Sequence, residues 1–229
     1  MSRDVVPGWD NHWEDVFRTQ NWGKYPPEAL IRFIARNWYG VDDRSRIRLL
    51  DLGCGPGACT WFMAREGFTV SGIDGAKTAI ALAQERMASE NLPAEFRVGD
   101  FQSLPWPNEY FDGVVDNASL CHTSWNVAQA AVGEILRVLR PGGRLFSSSF
   151  TNQTWGFGTG DQVGPLTYTN IPEGPFANKG LVRFMDREHV QILYCGFEDR
   201  TIEMSVYTLE QMQHRIENWV FTGRKPIAK

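Results

Sequence analysis

One run of residues, Leu49-Leu50-Asp51-Leu52-Gly53-Cys54-Gly55-Pro56-Gly57, constrains the fold of this chain more than any other. An apolar stretch of strand length feeds a glycine-rich turn, and helical spacing follows from Ala58 to about Glu66. Glycines let the backbone turn tightly and approach a ligand with no Cβ in the way. Asp51 stands before the first glycine, where a carboxylate suits a cationic ligand better than a pyrophosphate. Two further acids keep step. Asp74 closes the apolar run 68–73, 23 residues after Asp51, and Asp100 follows the shorter run 95–99, 26 residues after Asp74. Each interval fits one strand–helix unit of about 30 residues. Repeated units of this kind imply a parallel sheet with helices on both faces. The three carboxylates then gather at the edge where ligands of open α/β sheets bind.

The rest of the chain extends this pattern. Ala76, Ile80, Ala83 and Met87 predict a second helix, and 111–116 a fourth strand. Val127, Ala131, Ile135 and Val138 predict a third helix, with Asn126 as N-cap and Gln129 three residues on. Arg137 and Arg140 sit where its dipole favours cations. Pro141-Gly142-Gly143 ends it and leads into a fifth strand, 144–150. Upstream, Trp9, Trp13 and Phe17 recur every fourth residue, Pro26-Pro27-Glu28 reads as a helix start, and Leu30, Ile31, Ile34 and Trp38 form an apolar stripe. Residues 1–46 are therefore expected to form a helical cap on a domain spanning 47–229. Residues 151–180 are rich in glycine, proline and aromatics and sparse in charge, which predicts a lid over the carboxyl edge of the sheet. Beyond it, Asp186 is expected to cap a helix ended by Gly196, and alternation over 201–206 followed by 216–222 predicts an antiparallel hairpin.

Composition excludes several classes. Apolar residues make up 42% and charged residues 22%, so the chain is not disordered. A formal charge of −4 argues against a domain built to grip nucleic acid. No apolar run approaches the roughly 18 residues of a membrane span, and MSRDVVPGWDNHW lacks a signal-peptide core, so a cytosolic protein is expected. Cys54, Cys59, Cys121 and Cys195 form no metal-like spacing and read as buried reduced thiols. No acid/histidine cluster has ligand spacing, so no metal is expected.

Taken together, LLDLGCGPG, SGIDGA, VGDFQSLPWPNEYFDGVVD and RVLRPGGRLF resemble the class I S-adenosylmethionine-dependent methyltransferases from about Ile47 to Phe150. The resemblance implies a Rossmann-like, doubly wound sheet of seven strands with the last antiparallel. It implies that Asp51 and the turn Gly53, Cys54, Gly55 and Gly57 hold the methionine part of S-adenosylmethionine. Asp74 would take both ribose hydroxyls, flanked by Gly75. Asp100 would accept from the adenine amino group beside the Phe101 backbone, and Asn117 joins this set at the end of strand four. A nicotinamide-dependent oxidoreductase also uses a glycine turn and a ribose-binding acid. Against it, the third acid has no role for NAD, and Gly53-Cys54-Gly55-Pro56-Gly57-Ala58 lacks the third glycine of G-x-G-x-x-G. A non-catalytic protein that binds the same cofactor is the other alternative.

For the acceptor, strand four runs into Asp116-Asn117-Ala118-Ser119-Leu120-Cys121-His122, an edge that in this family lies beside the transferable methyl. It is not the N-P-P-Y type, and His122 is the candidate base, since imidazole titrates near neutrality. Trp9, Trp13, Trp22, Tyr25, Trp155 and Phe157 fall in the two covering segments and are candidates to wall the acceptor site. TNQTWGFGTG and TNIPEGPFANKG are similar to segments of a small-molecule subgroup, which implies a sugar or secondary metabolite methylated at oxygen or nitrogen. Arg183, Arg187 and His189 follow the lid, where they either meet an acidic substrate or stand solvated at a helix start. The oligomeric state is not legible.

Overall fold

The computed structural model describes residues 9–227; the first eight and last two positions of the expected 1–46 and 47–229 units lie outside them. Two helices come first, α1 (His12–Thr19) and α2 (Glu28–Trp38). The alternating part follows: β1 (Arg48–Leu52), α3 (Ala58–Arg65), β2 (Thr69–Asp74), α4 (Lys77–Ser89), β3 (Glu95–Val98), β4 (Phe111–Asn117), α5 (Trp125–Val138) and β5 (Leu139–Phe150). Three short strands come next, β6 (Asp161–Gly164), β7 (Thr167–Thr169) and β8 (Val182–Arg183). Last are α6 (Arg187–Leu193), β9 (Glu198–Leu209) and β10 (His214–Arg224).

The main sheet has seven strands in the order β3-β2-β1-β4-β5-β10-β9. β1 to β5 pair in parallel, and β10 is antiparallel to both of its neighbours. Strand order reverses between β1 and β4, which opens a crevice at their carboxyl ends. Successive residues of the central strands serve opposite faces. Leu50, Val114 and Leu145 pack under α5 and α6, whereas Leu49, Val115 and Phe146 pack under α2 and α3. α2 thus contributes Leu30, Phe33, Ile34 and Trp38 to the main core. It starts where the proline pair predicts, with Pro27 at the N-cap position.

Several local expectations change. α5 is capped by Ser124, whose side chain accepts from Val127 N, two residues before the expected Asn126. Trp9 precedes α1, which begins at His12, so only Trp13 and Phe17 share its face. β5 begins at Leu139, because the strand register bulges around Pro141-Gly142-Gly143. Arg140 therefore leaves the helix and pairs with Asp112. Residues 151–180 are more regular than a loop. β6, β7 and β8 form a small antiparallel sheet over an apolar cluster of Tyr168, Ile171, Phe176, Val182 and Phe184. Cys54, Cys59 and Cys121 are buried, but Cys195 is exposed. Among the described residues no helix is long and apolar enough to cross a membrane.

Candidate functional site

At the carboxyl end of β1 the chain enters the left-handed region three times, with φ of 68° at Gly53, 51° at Gly55 and 83° at Gly57. Gly53 also needs the missing side chain for space: a Cβ there would overlap Ser119 on the loop after β4. The turn is tied to β2, since Gly53 N and Cys54 N both donate to Ile73 O, at 2.8 and 3.0 Å. Asp74 closes the corner. Its carboxylate accepts from Gly55 N and Ala76 N, each at 2.9 Å. Burial raises its pKa to about 6, against the opposing pull of those backbone donors.

Asp51 does different work. Its Oδ2 accepts from Thr60 N at 2.8 Å and Thr60 Oγ1 at 2.6 Å, so it caps the first turn of α3. It is 2% exposed, and burial pushes its pKa to about 7. Cys54 turns its Sγ toward Gly72, away from the turn's open side. Asp100 lies beyond the end of β3, where its Oδ1 accepts from Gln102 N at 2.8 Å. The Phe101 ring packs against Gly53.

After β4, Asp116 organises the next loop. Oδ1 accepts from Ser119 N and Leu120 N, and Oδ2 from Ser147 Oγ, which in turn pairs with Tyr194 Oη. The short helical turn 120–122 so fixed carries His122. Its Nδ1 lies 3.0 Å from Leu181 O. A carbonyl only accepts, so Nδ1 holds the proton and Nε2 keeps its lone pair. Burial depresses the His122 pKa to about 4, so the ring is neutral at physiological pH. The Trp13 ring meets it edge to face, with centroids 4.7 Å apart.

Asp74, Phe101, Ser119 and His122 share one cavity of about 60 Å³ with Trp9 and Trp13 of the N-terminal segment. The Trp9 indole occupies the place a Cβ on Gly75 would need, and Phe17 lies over Gly55. Small-molecule sites commonly span about 300–1,000 Å³. The N-terminal segment thus fills most of this corner.

A model of the methyltransferase domain family matches residues 49–143. Over 121 residues the chain is 34% identical to methyltransferase GfsG of Streptomyces halstedii, covering 52% of this chain and 43% of that protein. It is 31% identical over 109 residues to a ubiquinone biosynthesis O-methyltransferase of Bartonella tribocorum, with 48% and 43% covered. A solved S-adenosylmethionine-dependent methyltransferase of Methanosarcina mazei superposes with a TM-score of 0.69 at 25% identity, over 85% of this chain and 98% of that one. The matched stretch is a methyltransferase domain of the class I S-adenosylmethionine-dependent type. The chain spans less than half the length of these two curated relatives.

The domain's residues fit S-adenosylmethionine in kind. A glycine cradle that a Cβ would fill adjoins a carboxylate suited to two hydroxyls and an aromatic ring suited to a base. Of the other expected cofactor residues, Asn117 ends β4 beside Cys59, and neither it, Asp51 nor Asp100 lines the cavity. The aromatic candidates separate. Trp9 and Trp13 line the cavity. Trp22 touches Trp13 and Phe17 edge-on, and both Trp22 and Tyr25 open onto a neighbouring groove, Tyr25 being 74% exposed. Trp155 stacks on His214 at 3.6 Å, and Phe157 packs on Tyr168 and Phe184 inside the small sheet. His189 bonds Asp186. Arg183, read from sequence as solvated or substrate-facing, is 2% exposed; it holds the carbonyls of Leu120 and Thr123. Asp116 carries the same strand-end signal as Asp51 and Asp74, whereas nothing local in the sequence marks Arg183 as buried or sets Phe17 over Gly55.

Proposed function

We propose that this methyltransferase moves a methyl group from S-adenosylmethionine to an oxygen or nitrogen of a small-molecule acceptor, of the sugar or secondary-metabolite kind. The observation that carries the reading is the corner where Asp74 meets the turn Gly53–Gly57, within the matched stretch 49–143. When bound there, the cofactor supplies an already activated methyl on a sulfonium. The chain's work is then to hold, orient and exclude water. Asp74 would accept from the ribose hydroxyls, the backbone of the glycine turn would hold the methionine part, and Phe101 would flank the base. Asp100 is assigned to the adenine amino group by resemblance alone.

His122 is the candidate base. Its neutral ring, with Nδ1–H on Leu181 O, leaves Nε2 to take a proton from the acceptor. A pKa near 4 makes it a weak base, suited to a hydroxyl that loses its proton late or to a proton already mobile. Trp13, beside it, supplies an apolar wall. The N-terminal segment serves as the cap: it moves aside for the cofactor and then closes over it.

The test is calorimetry with S-adenosylhomocysteine and NADH, followed by transfer of labelled methyl to a panel of phenols, quinols and sugars. Binding of S-adenosylhomocysteine alone, with label on at least one acceptor, is expected. NADH binding without S-adenosylhomocysteine binding defeats the reading. Cofactor binding with no transfer to any acceptor makes the chain a non-catalytic binder.

A further inference from the structure

Arg183 is a fully buried cation with work left undone. Nε donates to Thr123 O at 3.2 Å and Nη2 to Leu120 O at 2.9 Å, but Nη1 has no partner. Asp116 is an acid whose charge acts on Arg183, and its own carboxylate is engaged by Ser119, Leu120 and Ser147. An interior guanidinium with an idle donor is costly unless something uses that donor.

Arg183 also lines a cavity of about 550 Å³, a size that suits a small molecule. The cavity lies between the start of α5, the β6–β7 hairpin and α6. Trp125, Val163, Pro165, Phe184 and Ile192 make its walls largely apolar. Ser124, Trp125 and Asn126 bring the first turn of the 14-residue helix α5 to it, and a helix start favours negative charge. His189 lines it too, bonded to Asp186, and no aspartate or glutamate does.

We propose that this cavity is a second binding site, which takes an apolar or aromatic monocarboxylate with its carboxylate on Arg183 Nη1 and the start of α5. One idle donor among apolar walls fits a monoanion; a phosphate dianion needs a larger donor set. The half-buried Trp125 indole lies over the guanidinium, with Cζ 5.4 Å from its centroid, and Nη1 is covered, so binding requires this indole to swing aside. The site adjoins the cofactor corner through one wall. Leu181 lines the cavity and holds His122 by its carbonyl, and the other Arg183 donors hold the carbonyls on either side of His122. An occupant is therefore felt at the His122 turn.

The experiment is calorimetric titration of the full chain with phenylacetate, its uncharged amide phenylacetamide, and inorganic phosphate. Phenylacetate is expected to bind saturably, at least tenfold tighter than the amide or phosphate, and also in the presence of saturating S-adenosylhomocysteine. Ile192→Trp, at a position 49% exposed, fills the cavity without removing a buried group and should weaken phenylacetate at least tenfold with an unchanged melting temperature. Arg183→Met should do the same; if it does not fold, Ile192→Trp decides. Equal affinity for acid and amide, tighter binding of phosphate, competition by S-adenosylhomocysteine, or unchanged binding in Ile192→Trp would overturn the proposal. None of these outcomes bears on methyl transfer itself.

Discussion

The Glu14 carboxylate of α1 accepts from both the backbone N–H and the hydroxyl of Thr78, the second residue of α4. α4 has Ala76 at its N-cap position and no side-chain cap of its own, so α1 caps it from outside. The same bond holds α1, with Trp13 and Phe17, over the corner formed by Asp74 and the glycine turn. Replacing Glu14 by alanine is expected to cost about 1 kcal/mol or less of stability, in line with other lost caps. It should also speed association of S-adenosylhomocysteine several-fold in stopped-flow fluorescence. An unchanged association rate would show that α1 does not gate the site.

Asp74 is expected to dominate cofactor affinity. Hydrogen bonds to a charged acceptor are worth about 1.5–3 kcal/mol, so Asp74→Asn should weaken S-adenosylhomocysteine by roughly 10- to 100-fold. Burial holds the free carboxyl at a pKa of about 6, and hydroxyl donors favour its charged form. Affinity should therefore rise as pH climbs through 6 and level off above it. Calorimetry from pH 5 to 8 checks this, and the rise should be missing in Asp74→Asn.

Gly53→Ala places a Cβ against Ser119 at a φ of 68°. Both faults oppose folding, and a loss of more than about 1 kcal/mol is expected. Ser119→Gly in the same chain removes the overlap but not the backbone strain, so thermal melts should recover only in part. Full recovery would mean that space alone requires the glycine.

His122→Gln should lower turnover by roughly 10²- to 10⁴-fold, as for other lost bases, with cofactor affinity near wild type. If His122 is the base, the acid limb of wild-type kcat/KM falls near pH 4, not near 6.5. Stability carries the same signature. The unfolded ring binds a proton below about 6.5, the folded ring only below about 4. Below 6.5 the unfolded state thus holds more protons, and His122 makes stability increase with pH between these values. The denaturant midpoint of wild type minus that of His122→Gln should be constant above pH 6.5 and fall steadily toward pH 4.

Asp51 has the opposite sign. Its folded pKa is about 7, above the usual carboxylate value, so the folded state holds the extra proton between about 4 and 7. Its contribution to stability falls as pH rises through that window. Asp51→Asn, which retains a carbonyl for Thr60, should become more stable relative to wild type from pH 4 to 7 in chemical denaturation.

Much of this architecture was legible before any coordinates. Hydrophobic runs broken by glycine and proline mark the alternating strands and helices. Parallel pairing follows from their order, because only a crossover through a helix returns the chain in the same direction. The ends of β1, β2 and β4 must then meet at one edge. The sequence gathers the aspartates at 51, 74 and 100 at that edge, and the structure adds Asp116 near the end of β4.

What each carboxylate does was decided by tertiary structure. Asp51 is taken up by Thr60 on α3, Asp116 by the loop that carries His122, and Asp74 lines the cavity. Successive side chains on a strand point to opposite faces, and hydrogen bonds from neighbouring elements set which way each carboxylate turns. The aromatic candidates divide for the same reason. Trp13 reaches the site because Glu14 docks α1 on α4, 64 residues away in sequence, whereas Trp155 finds His214 instead. Local order sets which strand ends meet; contacts between distant segments set which side chains face the ligand. Arg183, buried under the His122 turn 60 residues before it, belongs wholly to the second kind.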